Sequence, residues 1–120
     1  MESADRDAEI QSCSILVVDD IELNRVLIRD MLKTGGFHNI DTAVDGKDAL
    51  DKIKIHRPDL LVLDVMMPVM DGLELTKALR AEPDMAHLPI LIQTAIREPQ
   101  AKRDAFKAGA NDIITKPLDR

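Results

Sequence analysis

Apolar positions recur along this chain in two alternating rhythms. Ile15-Leu16-Val17-Val18 and Leu60-Leu61-Val62-Leu63 are unbroken runs of aliphatic side chains, the pattern of strands buried on both faces of a parallel sheet. The first predicts a strand at Ser14–Val18 and the second a strand at Leu60–Leu63. Further strands are predicted at Ile40–Val44, Pro89–Gln93 and Asp112–Ile114. Between them the apolar residues adopt helical spacing. A helix is expected from Glu22 to Thr34 with Leu23, Val26, Leu27 and Met31 inward, stopped by Gly35-Gly36. Asp45 caps a second helix, to about His56, that buries Ala49, Leu50 and Ile53. After a loop over Val65–Asp71 that contains Pro68, Asp71-Gly72 opens a third helix with Leu75, Ala78 and Leu79 inward. Pro99 begins a fourth, whose Ala101, Ala105 and Ala108 allow close approach to the sheet before Gly109 ends it. Residues 1–12 are polar and aperiodic and read as a flexible leader, leaving 13–120 as one folded domain.

Strands separated by single helices imply right-handed crossovers and a doubly wound α/β fold with a five-stranded parallel sheet. Ligands of such sheets bind beyond the carboxyl ends of the strands. Asp19, Asp20, Asp64, Thr94 and Lys116 all fall at or just past those ends.

The 120 residues suffice for one hydrophobic core, and 45% apolar with 32% charged content is ordinary for a globular domain. With no Trp or Tyr and two Phe, the core is aliphatic and a stacking platform for single-stranded nucleic acid is disfavoured. A net charge of −6 also argues against direct nucleic-acid or anionic-membrane binding. Cys13 is the single cysteine, which excludes an internal disulfide and points to a cytoplasmic location. No apolar stretch approaches the ~20 residues of a membrane span.

Three acids converging at one sheet edge repel one another unless a cation compensates them. Mg²⁺ takes oxygen ligands and usually keeps several waters. Asp64 with one of Asp19 or Asp20 could bind it directly, the other acting through water, with the Met66 backbone carbonyl as a further ligand. Singly, Asp19 or Asp20 is as readily a cap on the first helix. Asp64 on the other strand end favours the metal. A carboxylate beside a divalent cation suits nucleophilic attack on phosphorus to form an aspartyl phosphate. Lys116, at a strand end and before Pro117, offers a point charge for a phosphoryl oxygen, and the Thr94 hydroxyl a donor. The ordinary roles of these two are a solvated lysine and a good strand former.

The set Val17-Val18-Asp19-Asp20, Leu63-Asp64-Val65-Met66-Met67-Pro68-Val69-Met70-Asp71-Gly72, Thr94-Ala95 and Lys116-Pro117 resembles the receiver domain of bacterial two-component response regulators, from about residue 14 to the last. The resemblance implies flavodoxin-like strand order 2-1-3-4-5, Asp64 as phosphoacceptor, Asp19 and Asp20 as magnesium acids, Thr94 and Lys116 as switch residues, and a cis Lys116–Pro117 bond. It also implies a histidine kinase or histidine phosphotransfer protein as donor, and a switch, not an enzyme with a separate substrate. Two departures stand out. The family usually carries Phe or Tyr three residues before the lysine, where this chain has Ile113, so a ring-flip switch is excluded and Thr94 with the loop after it carries the signal. The family's last helix is absent from the sequence given, which predicts a partly uncovered sheet face and either a homodimer through it or a chain that is part of a longer protein.

His38, His56 and His87 are expected at the surface, and Met66, Met67 and Met70 as packing around the loop. Two rival functions remain. Haloacid-dehalogenase-type phosphatases place a second acid two residues after the nucleophile, where this chain has Met66. An unphosphorylated interaction module would have no use for the reactive set.

Overall fold

The computed structural model describes residues 12–65, 67, 70–94 and 99–115. Strands β1 (Ser14–Val18), β2 (Asn39–Ala43), β3 (Leu60–Asp64), β4 (Ile90–Thr94) and β5 (Asp112–Thr115) alternate with helices α1 (Glu22–Thr34), α2 (Gly46–Ile55), α3 (Gly72–Arg80) and α4 (Pro99–Ala108). All pairings are parallel and the sheet runs β2-β1-β3-β4-β5, the order implied by the resemblance. The direction of winding reverses between β1 and β3, so the first and third strands lie side by side at the centre.

The two sheet faces are covered unequally. On one, Leu16, Val18, Leu61, Leu63, Ile90, Ile92 and Ile113 meet α2 (Ala49, Ile53), α3 (Leu75, Leu79) and α4 (Ala105). On the other, Ile15, Val17 and Val62 are covered by Ile28 of α1, with Leu32, Phe37 and Leu91 packed alongside. Each main-chain step of alternation sends neighbouring side chains to opposite faces, which is why nearly every residue of β1, β3 and β4 is apolar.

Three sequence expectations shift. The inward face of α1 is not Leu23–Leu27: Leu23 is 65% exposed and Leu27 41% exposed, whereas Ile28 is buried. Arg25, three residues before Ile28, donates from Nη1 to the Asp19 carbonyl oxygen at 2.7 Å. That bond turns the Arg25–Ile28–Leu32 stripe toward β1 and leaves the Leu23–Leu27–Met31 stripe at the rim. Strand β2 sits one residue earlier than expected because the Val44 N–H is taken by the Asp48 carboxylate at 3.0 Å, inside the capping turn of α2. In α3 the third fully buried position is Thr76, not Ala78. Its hydroxyl donates to the Gly72 carbonyl at 2.7 Å, so the polar group is satisfied inside the helix.

A second fastening lies at the opposite end of the sheet. Arg80, the last residue of α3, donates to the carbonyls of Gly109 (2.9 Å) and Met85 (2.9 Å) and to Asn111 Oδ1 (2.8 Å). Asn111 Oδ1 also accepts the Ile90 N–H at 2.8 Å, so one guanidinium joins α3, the turn at Pro83–Met85, the end of α4 and the start of β4. Gly109 has φ +112°, and a Cβ there would sit 2.7 Å from Arg80 Cγ, so glycine is required twice over. Burial lowers the Arg80 pKa from its usual value, since desolvation disfavours the cation.

The leader, the Met66 carbonyl, the loop after β4 and Lys116-Pro117 lie outside the described residues.

Candidate functional site

The last hydrogen-bonded pair of β1 and β3 is Val18 with Leu63, so Asp19 and Asp64 each follow it by one residue. Asp64 in turn pairs with Gln93 of β4. Three polar side chains therefore stand in one row across the three central strands, on the face that α1 covers. Asp19 is fully buried and Asp64 is 5% exposed, while Asp20 is exposed. Carboxylate oxygens of Asp19, Asp20 and Asp64 lie within 4.8 Å of one another.

Asp19 is fixed through both its backbone and its side chain. Its N–H continues the sheet ladder to the Ala43 carbonyl at 3.2 Å. Its Oδ1 accepts the Ile21 N–H at 2.9 Å and the Asn24 amide at 3.4 Å, and Gln93 Nε2 lies 3.4 Å from Oδ2. Asp19 therefore satisfies a backbone donor at the entry to α1, where Ile21 has no side-chain cap of its own. The capping and cluster readings of this residue hold together, because a carboxylate has lone pairs for both.

Asp64 is fixed through its backbone. The next residue, Val65, donates to the Gln93 carbonyl at 3.2 Å and accepts the Gly72 N–H at 3.0 Å. The chain thus leaves the strand and returns to it within seven residues. Asp71 closes the return with a reciprocal capping box: its carboxylate accepts the Glu74 N–H at 2.9 Å while Glu74 reaches back to the Asp71 N–H. Gly72 then passes so near that a Cβ would lie 2.3 Å from the Asp64 carbonyl oxygen. The Asp71-Gly72 pair in the sequence is a cap followed by a contact no side chain permits.

Thr94 is 1% exposed at the end of β4 and pairs with Thr115 of β5. Ile113, in the aromatic position of the family, is buried in the main core. Met67 also enters that core, with Met70 packed against it, as expected of a packing role. His38, His56 and His87 are all exposed. Lys116 and Met66 lie outside the described residues.

Sequence reasoning missed Gln93. A signal was present, because a carboxamide closing an otherwise apolar buried strand is unusual and demands a partner.

The donor set is made of hard oxygens, with two of its three acids buried, and buried acids this close together call for positive compensation. It suits a small oxygen-loving divalent cation and has no nitrogen or sulfur ligand for a softer one.

Known proteins show the same organisation. Over 108 residues the chain is 40% identical to the response regulator PleD of Caulobacter vibrioides, covering 90% of this chain and 24% of PleD. It is 35% identical over 105 residues to the polar-differentiation response regulator DivK of Brucella anthropi, covering 88% of this chain and 85% of DivK. The chain thus spans about a quarter of PleD and most of DivK. Among solved structures, a response regulator from Chloroflexus aurantiacus superposes with a TM-score of 0.86 at 36% identity, covering 90% of this chain and 88% of that one. The chemotaxis response regulator CheY4 of Vibrio cholerae gives 0.84 at 34% identity, covering 90% and 89%. Residues 15–120 match the family model of the response regulator receiver domain, and with the acid row at the β1/β3 reversal this places the chain in that family.

Proposed function

We propose that this receiver domain is a phosphorylation-dependent switch whose acceptor is Asp64. The observation that supports this most is the buried acid on β3 within 4.8 Å of the Asp19 and Asp20 carboxylates. The donor is the phosphohistidine of a histidine kinase or of a histidine phosphotransfer protein, since the three histidines here are scattered and exposed. An Asp64 carboxylate oxygen attacks phosphorus, the P–N bond breaks, and the imidazole leaves with the electron pair, giving an acyl phosphate on Asp64.

Asp19, Asp20 and Asp64 would hold Mg²⁺, with the Met66 carbonyl as a further oxygen ligand. Bound there, the ion neutralises charge on the carboxylates and the phosphoryl oxygens. Asp19 is pinned at Oδ1 by the Ile21 N–H and Asn24, which fixes its carboxylate beside the other two acids. The Thr94 hydroxyl donates to the phosphoryl group, and Lys116 supplies a positive charge. With Ile113 already in the core, no ring is available to move, so the change passes through Thr94 and the segment after it to α4. The domain passes a signal and turns over no separate substrate, and the lone Cys13 supports a cytoplasmic setting. A homodimer would use Leu27 and Ile114, 41% and 40% exposed. A compact monomer in sedimentation equilibrium removes it.

Incubation with Mg²⁺ and acetyl phosphate tests the reading. The expected result is a mass increase of roughly 80 Da, one phosphoryl group, that is absent in Asp64→Asn. Steady hydrolysis of phosphoesters would instead support a phosphatase, and no adduct an unphosphorylated module. Amide shifts over residues 95–107 that do not respond to a phosphoryl mimic would sink the proposed route.

A further inference from the structure

Among the described residues Gln93 is the largest polar side chain that is completely buried, and it is only half satisfied. Its Nε2 lies 3.4 Å from Asp19 Oδ2, while its Oε1 is buried with no hydrogen-bond partner. The opposite amide orientation would set a carbonyl oxygen against a carboxylate oxygen, two acceptors that repel, so the assignment stands on electrostatics. An orphaned buried acceptor is destabilising, and a buried strand position can be filled by a leucine at no such cost. The amide is therefore poorly explained as packing.

Its position suggests what it is for. Gln93 pairs with Asp64 and reaches past β3 to Asp19 on β1, spanning two strand spacings of about 4.8 Å each. It thus touches one acid and neighbours another. The Asp19 carboxylate is held by Ile21 N–H and Asn24 at Oδ1 and by Gln93 at Oδ2, so removing Gln93 takes away a contact on the second oxygen.

We infer that Gln93 is a positioning residue of the carboxylate cluster, holding Asp19 in place for a hydrated divalent cation and offering Oε1 to a donor that arrives with it. The inference rests on the metal reading of the cluster. A neutral amide suits this task because it orients a carboxylate without cancelling its charge, as a lysine or arginine would. The donor for Oε1 is a water of the cation's own shell, which Mg²⁺ keeps in most protein sites. Residues that orient ligands in this way typically change metal affinity 10- to 100-fold when removed.

The test compares the wild type with Gln93→Leu and Gln93→Met, the second a flexible side chain of similar volume should the first fold poorly. Mg²⁺ binding is read by calorimetry and by amide shifts of Asp19 and Asp64, since the chain has no Trp or Tyr to report it. Metal-free stability is read by urea denaturation. The expected result is a Kd about tenfold weaker in at least one variant whose metal-free midpoint is equal to the wild type's or higher. That split is one a structural role would not give. Affinity that falls only together with stability, or a Kd within twofold of wild type in a folded variant, overturns the role of Gln93 while leaving the metal site. A wild type with no saturable Mg²⁺ binding removes the site and this inference with it.

Discussion

A Cβ on Gly72 would lie 2.3 Å from the carbonyl oxygen of Asp64 and 3.0 Å from its carbonyl carbon. The first residue of α3 therefore abuts the backbone of β3 at Asp64. Backbone on both sides leaves neither partner free to yield, so Gly72→Ala must displace the helix start or the end of β3. The expected cost is about 1–3 kcal/mol in urea denaturation, the range of an overpacked core. Because the displaced element carries Asp64, phosphorylation by acetyl phosphate should also slow in the folded fraction. A variant with wild-type stability and rate would show that the approach relaxes freely.

The buried face of α1 makes a second prediction. Ile28→Ala, at a site 6% exposed against Ile15, Val17 and Val62, should cost about 2–4 kcal/mol. Leu23→Ala, at 65% exposure, should change stability by no more than about 0.5 kcal/mol. Equal losses at the two positions would mean that the Leu23 stripe is covered in solution.

What could be read from the sequence follows from which forces are local. The buried strands announce themselves because both faces are apolar, and Asp45 and Asp71 mark helix starts because a cap acts within three residues. The acid row was legible for a similar reason: strand ends in a parallel sheet share one rim, so Asp19, Asp20 and Asp64 had to converge. The face of α1 was not legible, since Leu23–Leu27–Met31 and Ile28–Leu32 are both apolar stripes and the choice depends on Arg25 reaching the Asp19 carbonyl. Gln93 was missed because its partner lies 74 residues away. The apolar run around it signals that the amide needs a partner, but nothing local says which residue supplies it.

Arg80 should behave as a geometric clamp and not as a charge. Three acceptors on two separate segments are met by one planar fork, a pattern an ammonium group does not reproduce. Arg80→Lys should therefore lose nearly as much stability as Arg80→Met, about 2 kcal/mol by denaturant midpoint. The unfolding of both should be insensitive to added salt, because the acceptors are carbonyl oxygens. Full retention of stability in the lysine variant would assign the effect to charge.

The lifetime of the phosphoryl group depends on how well water is aimed at it. Two residues beyond Asp64 stands Met66, and two beyond Thr94 stands Ile96; both are apolar, and neither can hydrogen-bond a water approaching phosphorus. Slow self-dephosphorylation is expected. Met66→Asn supplies a carboxamide at the first of these positions, and one added hydrogen bond of ~1.4 kcal/mol to the attacking water would shorten the half-life about tenfold. The measurement is loss of the Asp64 adduct by mass spectrometry after removal of acetyl phosphate, with Ile96→Asn as the second position. The rise should be in hydrolysis alone, with the rate of phosphorylation little changed, because attack by Asp64 needs no oriented water. A half-life unchanged in both variants would locate the control of lifetime away from these side chains and in the acids and Thr94 themselves.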